Sequence, residues 1–85
     1  MDQAEKLRIV AEALGYDALQ FMGFDPIKTP AQVIECMDWL IKQGHTLFLQ
    51  NKNYCWRSPS GFILCSASLT QSAIDAIVQT KTGGW

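Results

Sequence analysis

The sequence predicts an α+β domain in which a three-stranded antiparallel meander sheet has helices packed on both faces, in the order α-α-β-β-β-α. Three observations carry this prediction. Three segments have helical apolar spacing and capping residues at their starts, residues 45–66 divide into three short strands, and those strands are apolar on both sides. With 85 residues, 48% of them hydrophobic, the chain suits one domain. We expect this domain over residues 1–80 and a flexible tail over 81–85.

The first helix is expected over residues 3–14. Asp2 is suited to cap its start, and Glu5 three residues later completes a capping box. Apolar residues recur at the spacing of one buried stripe: Leu7, Val10, Ala11 and Leu14. Gly15 then suits the left-handed position that follows a helix.

The second and third helices show the same capping pattern. Thr29 caps the second helix, Pro30 occupies its first position, and Gly44 ends it. Ser68 caps the third helix, which we expect over 69–80, and Gln71 completes its capping box. The buried stripe of the second helix consists of Val33, Met37, Leu40 and Ile41, and that of the third of Leu69, Ala73, Ile74, Ile77 and Val78.

The connection 16–28 carries too many large apolar side chains for a solvated loop. They are Tyr16, Leu19, Phe21, Met22, Phe24 and Ile27. We expect them to pack on the core, because a domain this small needs its apolar residues for stability. A docking surface for a partner is the alternative, and Phe24 is its candidate contact.

The strands are expected over 45–50, 54–58 and 62–66, with three-residue loops at 51–53 and 59–61. Pro59 and Gly61 suit a type I turn followed by a left-handed residue, which pairs Cys55 with Cys65. The first loop would place Phe48 beside Trp56 and Leu47 beside Arg57. One face then carries Leu47, Leu49, Cys55, Ile63 and Cys65, and the other carries Phe48, Tyr54, Trp56, Phe62 and Leu64. Both faces therefore need cover, since a sheet with one wet face alternates apolar and polar residues.

Arg57 is the leading candidate for a binding residue. On the predicted register it lies on the middle strand among apolar neighbours, where a guanidinium must reach solvent, pair with a carboxylate or bind an anion. The structural interpretation is an ion pair with Glu35 or Asp38, or a side chain that extends to solvent. The functional interpretation is a contact to an anion or to an acidic partner. Further candidate contacts are Lys52, Tyr54, Phe24 and Trp85.

The sequence indicates no catalytic residue, metal site or cofactor. His45, Cys36, Cys55 and Cys65 are suitable zinc ligands in type, but their spacing matches no zinc motif. Cys55 and Cys65 are expected to lie close together, so a disulfide is one interpretation and two small buried apolar residues the other. No local signature supports a nucleophile activated by the single histidine. The chain is therefore expected not to be an enzyme.

Charge and composition exclude several kinds of partner. Seven basic and eight acidic residues give a net charge of −1, which argues against a nucleic-acid binder that depends on a basic surface. No run of apolar residues is long enough to span a membrane, and residues 1–6 do not resemble a signal peptide. Three cysteines, an odd number, do not suggest a secreted disulfide scaffold. We therefore expect a cytosolic protein without membrane or nucleic-acid partners.

Three segments carry a resemblance to a known family. The run Ile9-Val10-Ala11-Glu12-Ala13-Leu14-Gly15-Tyr16 resembles the opening of the phage ABA sandwich domain. Thr29-Pro30-Ala31-Gln32-Val33 with Trp39-Leu40 is similar to that family's second helix, and Ser68-Leu69-Thr70-Gln71-Ser72-Ala73-Ile74 to its closing helix. Phe21-Met22-Gly23-Phe24 matches the family's aromatic-rich linker only loosely. The resemblance implies a small layered α+β protein of phage or prophage origin, and it brings no catalytic residues.

These observations favour a non-enzymatic binding protein of phage or prophage type that acts in the cytosol of a bacterial host. The resemblance makes inhibition of a defence system the most concrete role, through contact with a host protein or capture of a small anionic nucleotide signal. The alternative is a structural assembly domain that forms a homo-oligomer through a sheet face or edge.

Overall fold

The computed structural model describes residues 2–16 and 30–83, and these residues form three helices and three strands. In chain order the elements are α1 (Gln3–Leu14), α2 (Pro30–Lys42), β1 (Thr46–Gln50), β2 (Asn53–Arg57), β3 (Ile63–Ser66) and α3 (Leu69–Thr82). The strands form an antiparallel sheet in the order β1-β2-β3. The predicted class and the order α-α-β-β-β-α are confirmed.

The predicted capping residues hold the helix ends. The Asp2 carboxylate accepts a hydrogen bond from the Glu5 amide at 2.8 Å, and Gly15 follows α1 with a left-handed φ of 84°. The Ser68 hydroxyl accepts from the Gln71 amide at 3.2 Å at the start of α3. These contacts satisfy amide groups that a helix leaves unpaired in its first turn.

The end of α3 lies two residues beyond the predicted end. Lys81 and Thr82, which we expected in a flexible tail, belong to the helix, and the Thr82 hydroxyl donates to the Val78 carbonyl oxygen at 2.7 Å. The rest of the expected tail at 84–85, the Thr29 cap and the 17–29 part of the apolar connection lie outside the described residues.

The predicted register of the second hairpin is confirmed. Cys55 pairs with Cys65 and Trp56 with Leu64. Gly61 has the expected positive φ, 95°. The Ser58 amide donates to the Phe62 carbonyl oxygen at 2.8 Å, which closes the three-residue loop.

The predicted register of the first hairpin is wrong by one residue. Gln50 pairs with Asn53, so the loop contains only Asn51 and Lys52, with φ values of 51° and 64°. Two consecutive left-handed residues are typical of a type I′ turn. A one-residue slip moves every side chain of a strand to the other face, so Leu47 rather than Phe48 lies beside Trp56.

The corrected register defines two faces of the sheet. We call the first the packed face; its members are Leu47, Leu49, Tyr54, Trp56, Leu64 and Ser66. We call the second the open face; its members are Thr46, Phe48, Gln50, Asn53, Cys55, Arg57, Ile63 and Cys65.

The core lies between the packed face and the helices. All three helices contribute buried side chains that cluster with Trp56: Val10, Ala11, Cys36, Leu40, Ala73, Ile74, Ala76, Ile77 and Val78. Leu47 packs against the same cluster. We predicted helices on both faces of the sheet. Within residues 2–16 and 30–83, the helices pack on the packed face. No helix in these residues is long and apolar enough to cross a bilayer.

Candidate functional site

The open face combines an exposed apolar side chain with a cation. Ile63 is 54% exposed, and Arg57, its direct partner on β2, is exposed as well. Phe48 on β1 is half-buried. Large apolar side chains held in water on a rigid sheet are available for a contact with another molecule.

A disulfide crosses the middle of the open face. It joins Cys55 on β2 to Cys65 on β3, whose Cα atoms are 4.1 Å apart. Cys55 is fully buried, whereas Cys65 is exposed. The sequence left open whether Cys55 and Cys65 form a disulfide or are two small apolar residues. The structure shows the disulfide. The crosslink ties the edge strand β3 to the central strand and stiffens the surface that bears Ile63 and Arg57.

Charge is distributed unevenly between the sheet and the helices. Between Asp38 and Asp75 the chain has three cations, Lys42, Lys52 and Arg57, and no carboxylate. All eight acidic residues and the other four of the seven basic residues lie outside that stretch. The sheet and its turns contribute two of these cations, Lys52 and Arg57, whereas Lys42 lies on α2. Strands that contribute positive charge and no carboxylate favour acidic molecules.

Arg57 lies on the open face between Thr46 and Ile63, not beside Leu47 as predicted. The predicted ion pair of Arg57 with Glu35 or Asp38 is not among the salt bridges of the described residues. The physical reason is its position, because both carboxylates are on α2 and the helices pack on the other face. Arg57 is exposed, which agrees with the other structural interpretation, a side chain that extends to solvent.

The other predicted contact residues do not converge on Arg57. Lys52 is exposed in the β1–β2 turn, five residues from Arg57, which is about 16 Å along an extended strand. Tyr54 is half-buried on the packed face opposite Leu49. Phe24 and Trp85 lie outside the described residues. Sequence reasoning missed Ile63 and Phe48 as surface contacts, because an apolar strand residue shows no sign of its exposure until the register and helix positions are known.

Apart from the open face, a recess lies between the end of α1 and α2. It has a volume of about 380 Å³. Its lining includes the aromatic side chains of Tyr16 and Trp39 and the carboxylates of Glu35 and Asp38. The Tyr16 hydroxyl donates a hydrogen bond to the Glu35 carboxylate. That bond, followed by burial, raises the pKa of Tyr16 above its ordinary value. Glu35 is therefore engaged in joining α1 to α2.

The residues with the best potential for catalysis are poorly placed for it. Cys36 is fully buried, and burial together with the nearby Glu35 charge raises the pKa of its thiol to about 11. A thiol with so high a pKa is largely protonated at neutral pH and is a weak nucleophile. His45 is also buried. In the described part of the chain, no group of three or more His, Cys, Asp or Glu residues is arranged to hold a metal ion.

His45 makes the stability of the fold depend on pH. The Thr80 hydroxyl donates to the Ala76 carbonyl oxygen at 2.8 Å, so it accepts from His45 Nε2–H across 3.0 Å. Burial lowers the pKa of His45 below its ordinary value. The unfolded chain therefore binds a proton more readily than the folded chain. Stability should be highest above about pH 6.5, the ordinary histidine pKa, and should fall as the pH drops below it.

Thermal unfolding at pH 7.5 and pH 5.0 checks this expectation. His45→Gln keeps a side-chain amide donor for Thr80 but cannot titrate. We expect the variant to lose less stability than the native chain between the two pH values. Equal losses in both proteins would show that carboxylates, and not His45, cause the pH dependence.

Comparison with known proteins gives no assignment: no family model, no curated protein and no solved structure matches this chain. Function is therefore inferred from the chemistry of the open face.

Proposed function

We propose that this protein is a non-enzymatic binding protein whose open face holds an acidic surface of another protein. One observation carries the proposal: exposed Ile63 lies directly beside exposed Arg57 on a sheet that contains no carboxylate. An apolar anchor next to an arginine is a common composition for the energetic centre of a protein interface.

The two residues contribute in different ways. Burial of Ile63 removes apolar surface from water at a gain of about 25 cal/mol for each Å². Arg57 supplies paired donors that match a carboxylate, and its charge speeds the encounter with an acidic surface. The pairing of β2 with β3 holds both side chains on a rigid backbone, which reduces the entropy lost on binding.

A protein suits this face better than a small nucleotide does. A phosphate group needs several donors that converge within a few ångströms, whereas Arg57 and Lys52 are about 16 Å apart along β2. Two separated cations suit an extended acidic surface. A platform for stacked bases needs several aromatic side chains, and Phe48 is the aromatic member of the open face.

The identity of the partner rests on the resemblance to the phage ABA sandwich domain. On that basis we propose a phage or prophage protein in the bacterial cytosol that occupies a host protein, and the inhibition of a defence system is the specific form of this role. The charge and exposure of the open face support a protein contact, and the resemblance alone supports the host and the defence system.

Affinity capture with matched baits tests the proposal. The baits are the native protein, Ile63→Glu, Arg57→Glu and Ile34→Glu, and the captured proteins are quantified from one bacterial lysate. Ile34 is the control because it is 57% exposed but lies on α2, away from the open face. We expect at least one protein that the native and Ile34→Glu baits retain equally and that both open-face variants lose at least tenfold.

Equal capture by all four baits, or a loss confined to Ile34→Glu, would refute the open face as the binding site. With the purified partner, association should slow as salt is raised, because charge accelerates the encounter. A thermal-shift screen with cyclic nucleotides covers the small-molecule alternative, since a ligand at 100 times its Kd stabilises a fold by about 2.7 kcal/mol. A shift that Arg57→Glu abolishes would replace the protein partner with a nucleotide.

A further inference from the structure

Among the described residues β1 forms one edge of the sheet, and this edge presents backbone groups in a self-complementary order. The Ser58 amide bonds to Phe62 on the β3 side at 2.8 Å. Because bonded and non-bonded pairs alternate along an antiparallel ladder, the backbone N–H and C=O groups of Trp56 point toward β3 and those of Cys55 point toward β1. Phe48, the partner of Cys55, therefore bonds to β2. Its neighbours Leu47 and Leu49 direct their N–H and C=O groups to the outer edge of the sheet.

The side chains of β1 do little to prevent pairing at that edge. The strand reads Thr-Leu-Phe-Leu-Gln, with no charge, proline or glycine. Natural edge strands commonly use charges, prolines or bulges to prevent such pairing. Leu49 is 70% exposed, the highest value among the large hydrophobic residues in the described part of the chain.

The other edge of the sheet is less suited to pairing. β3 is four residues long and follows the left-handed Gly61 of the loop at 59–61. The Gly61 amide donates to the Ser58 carbonyl oxygen at 2.9 Å, and with its positive φ Gly61 forms a β-bulge. Such a bulge increases local twist and turns an edge away from a flat partner. Helix α3 also packs against β3, whereas β1 is not among the strands on which α3 mainly packs.

We propose that β1 pairs antiparallel with β1 of a second copy of this chain, about a two-fold axis at Phe48. In this register Leu47 lies opposite Leu49 of the other copy, and their outward groups form four hydrogen bonds between the chains. Phe48 lies opposite its own copy, and Thr46 opposite Gln50, so no like charges meet. The exposed Leu49 side chain gains an apolar neighbour in Leu47 of the other copy. This interface lies along β1, whereas Ile63 and Arg57, which carry the proposed function, lie on β3 and β2.

Solution mass and amide exchange of the native protein test the pairing. An interface of one strand is small, so we expect the mass to rise from 9.5 kDa toward twice that value between about 10 µM and about 1 mM. Over the same range the amide hydrogens of Leu47 and Leu49 should exchange more slowly. Those of Ile63 and Cys65, which point outward from the other edge, should not change and serve as an internal control.

Two charge substitutions locate the interface. Leu49→Lys should weaken association at least tenfold, whereas Ile63→Lys should leave it unchanged, and circular dichroism verifies that both variants fold. A constant mass of 9.5 kDa up to about 1 mM, unchanged exchange at Leu47 and Leu49, or a loss of association with Ile63→Lys alone would overturn the proposal. Ile63→Glu, the variant expected to lose the acidic partner of the open face, should also leave self-association unchanged, so failures of the two proposals are distinguishable.

Discussion

Replacement of Trp56 by alanine is expected to destabilise the fold by about 3–5 kcal/mol, the range for loss of a buried large aromatic side chain. Trp56 is fully buried and is the largest side chain in the core. Its indole N–H donates to the Ser72 hydroxyl at 3.2 Å, which ties the central strand to α3. The substitution removes the contact surface that all three helices share.

The expected loss is large relative to the total stability of a domain this size. At about 0.05–0.15 kcal/mol per residue, 85 residues have a free energy of unfolding of roughly 4–13 kcal/mol. Trp56→Ala should therefore lose a large share of this free energy, and at the lower end of the range it should be largely unfolded at 25 °C. Urea titration followed by far-ultraviolet circular dichroism measures the change without dependence on tryptophan fluorescence.

Two controls separate burial from hydrogen bonding. Phe62→Ala also removes an aromatic ring, but Phe62 is 57% exposed, so its cost should be well below that of Trp56→Ala. Trp56→Phe keeps most of the apolar volume and loses the N–H, so its cost should fall between the two. If Trp56→Ala costs no more than Phe62→Ala, Trp56 is not the centre of the core.

The helices were predictable to the extent that their ends carry local signals. Asp2 with Glu5, and Ser68 with Gln71, identified the starts of α1 and α3 because side-chain caps act within one turn of the chain. The end of α3 was not predictable in the same way. Lys81 and Thr82 are polar and extend no apolar stripe, although Gly83, with a φ of 72°, ends the helix as glycine commonly does.

The two hairpins show why register is predictable in one case and not in the other. Pro59 and Gly61 occupy positions that only one common loop type explains, and the pairing that followed is confirmed. The first loop reads Asn-Lys-Asn, and Lys52 has a φ of 64°, a conformation in which lysine is uncommon. Because the strands are apolar on both faces, the side-chain pattern could not correct the register either.

The candidate site was predictable only in part for the same reason. Arg57 and Lys52 were identified as candidate contacts, but the sequence left open whether Arg57 pairs with Glu35 or Asp38, extends to solvent or binds an anion. The exposed position of Ile63 beside Arg57 depends on the helices gathering on the packed face, and that is a property of tertiary packing that no local pattern encodes. The prediction that the face bearing Trp56 needs cover is confirmed, because Trp56 is fully buried.

Reduction of the Cys55–Cys65 disulfide is expected to lower the free energy of unfolding by about 3 kcal/mol. The two cysteines are ten residues apart, and closure of a loop of that length removes about this much conformational entropy from the unfolded chain. For a domain of 60–100 residues, a loss of 3 kcal/mol corresponds to a fall in Tm of about 12–24 °C. Thermal unfolding with and without a phosphine reductant measures the effect.

A matched variant assigns the effect to this disulfide. Cys65→Ser removes the bond at an exposed position, so the variant should unfold near the Tm of the reduced native chain and should not respond to reductant. Titration of thiols in denaturant should find one free thiol in the native protein, because Cys36 is the free cysteine. Three free thiols, or a native Tm that reductant leaves unchanged, would show that Cys55 and Cys65 are not bonded.

The same thiol count, made on protein alkylated inside cells, tests the predicted location. A bacterial cytosol keeps most thiols reduced, so a cytosolic chain should yield three thiols and should have the lower stability of the reduced form. One thiol would instead place the working protein in an oxidising compartment and would contradict the cytosolic location inferred from composition. The disulfide therefore connects a stability measurement to the environment in which the open face meets its partner.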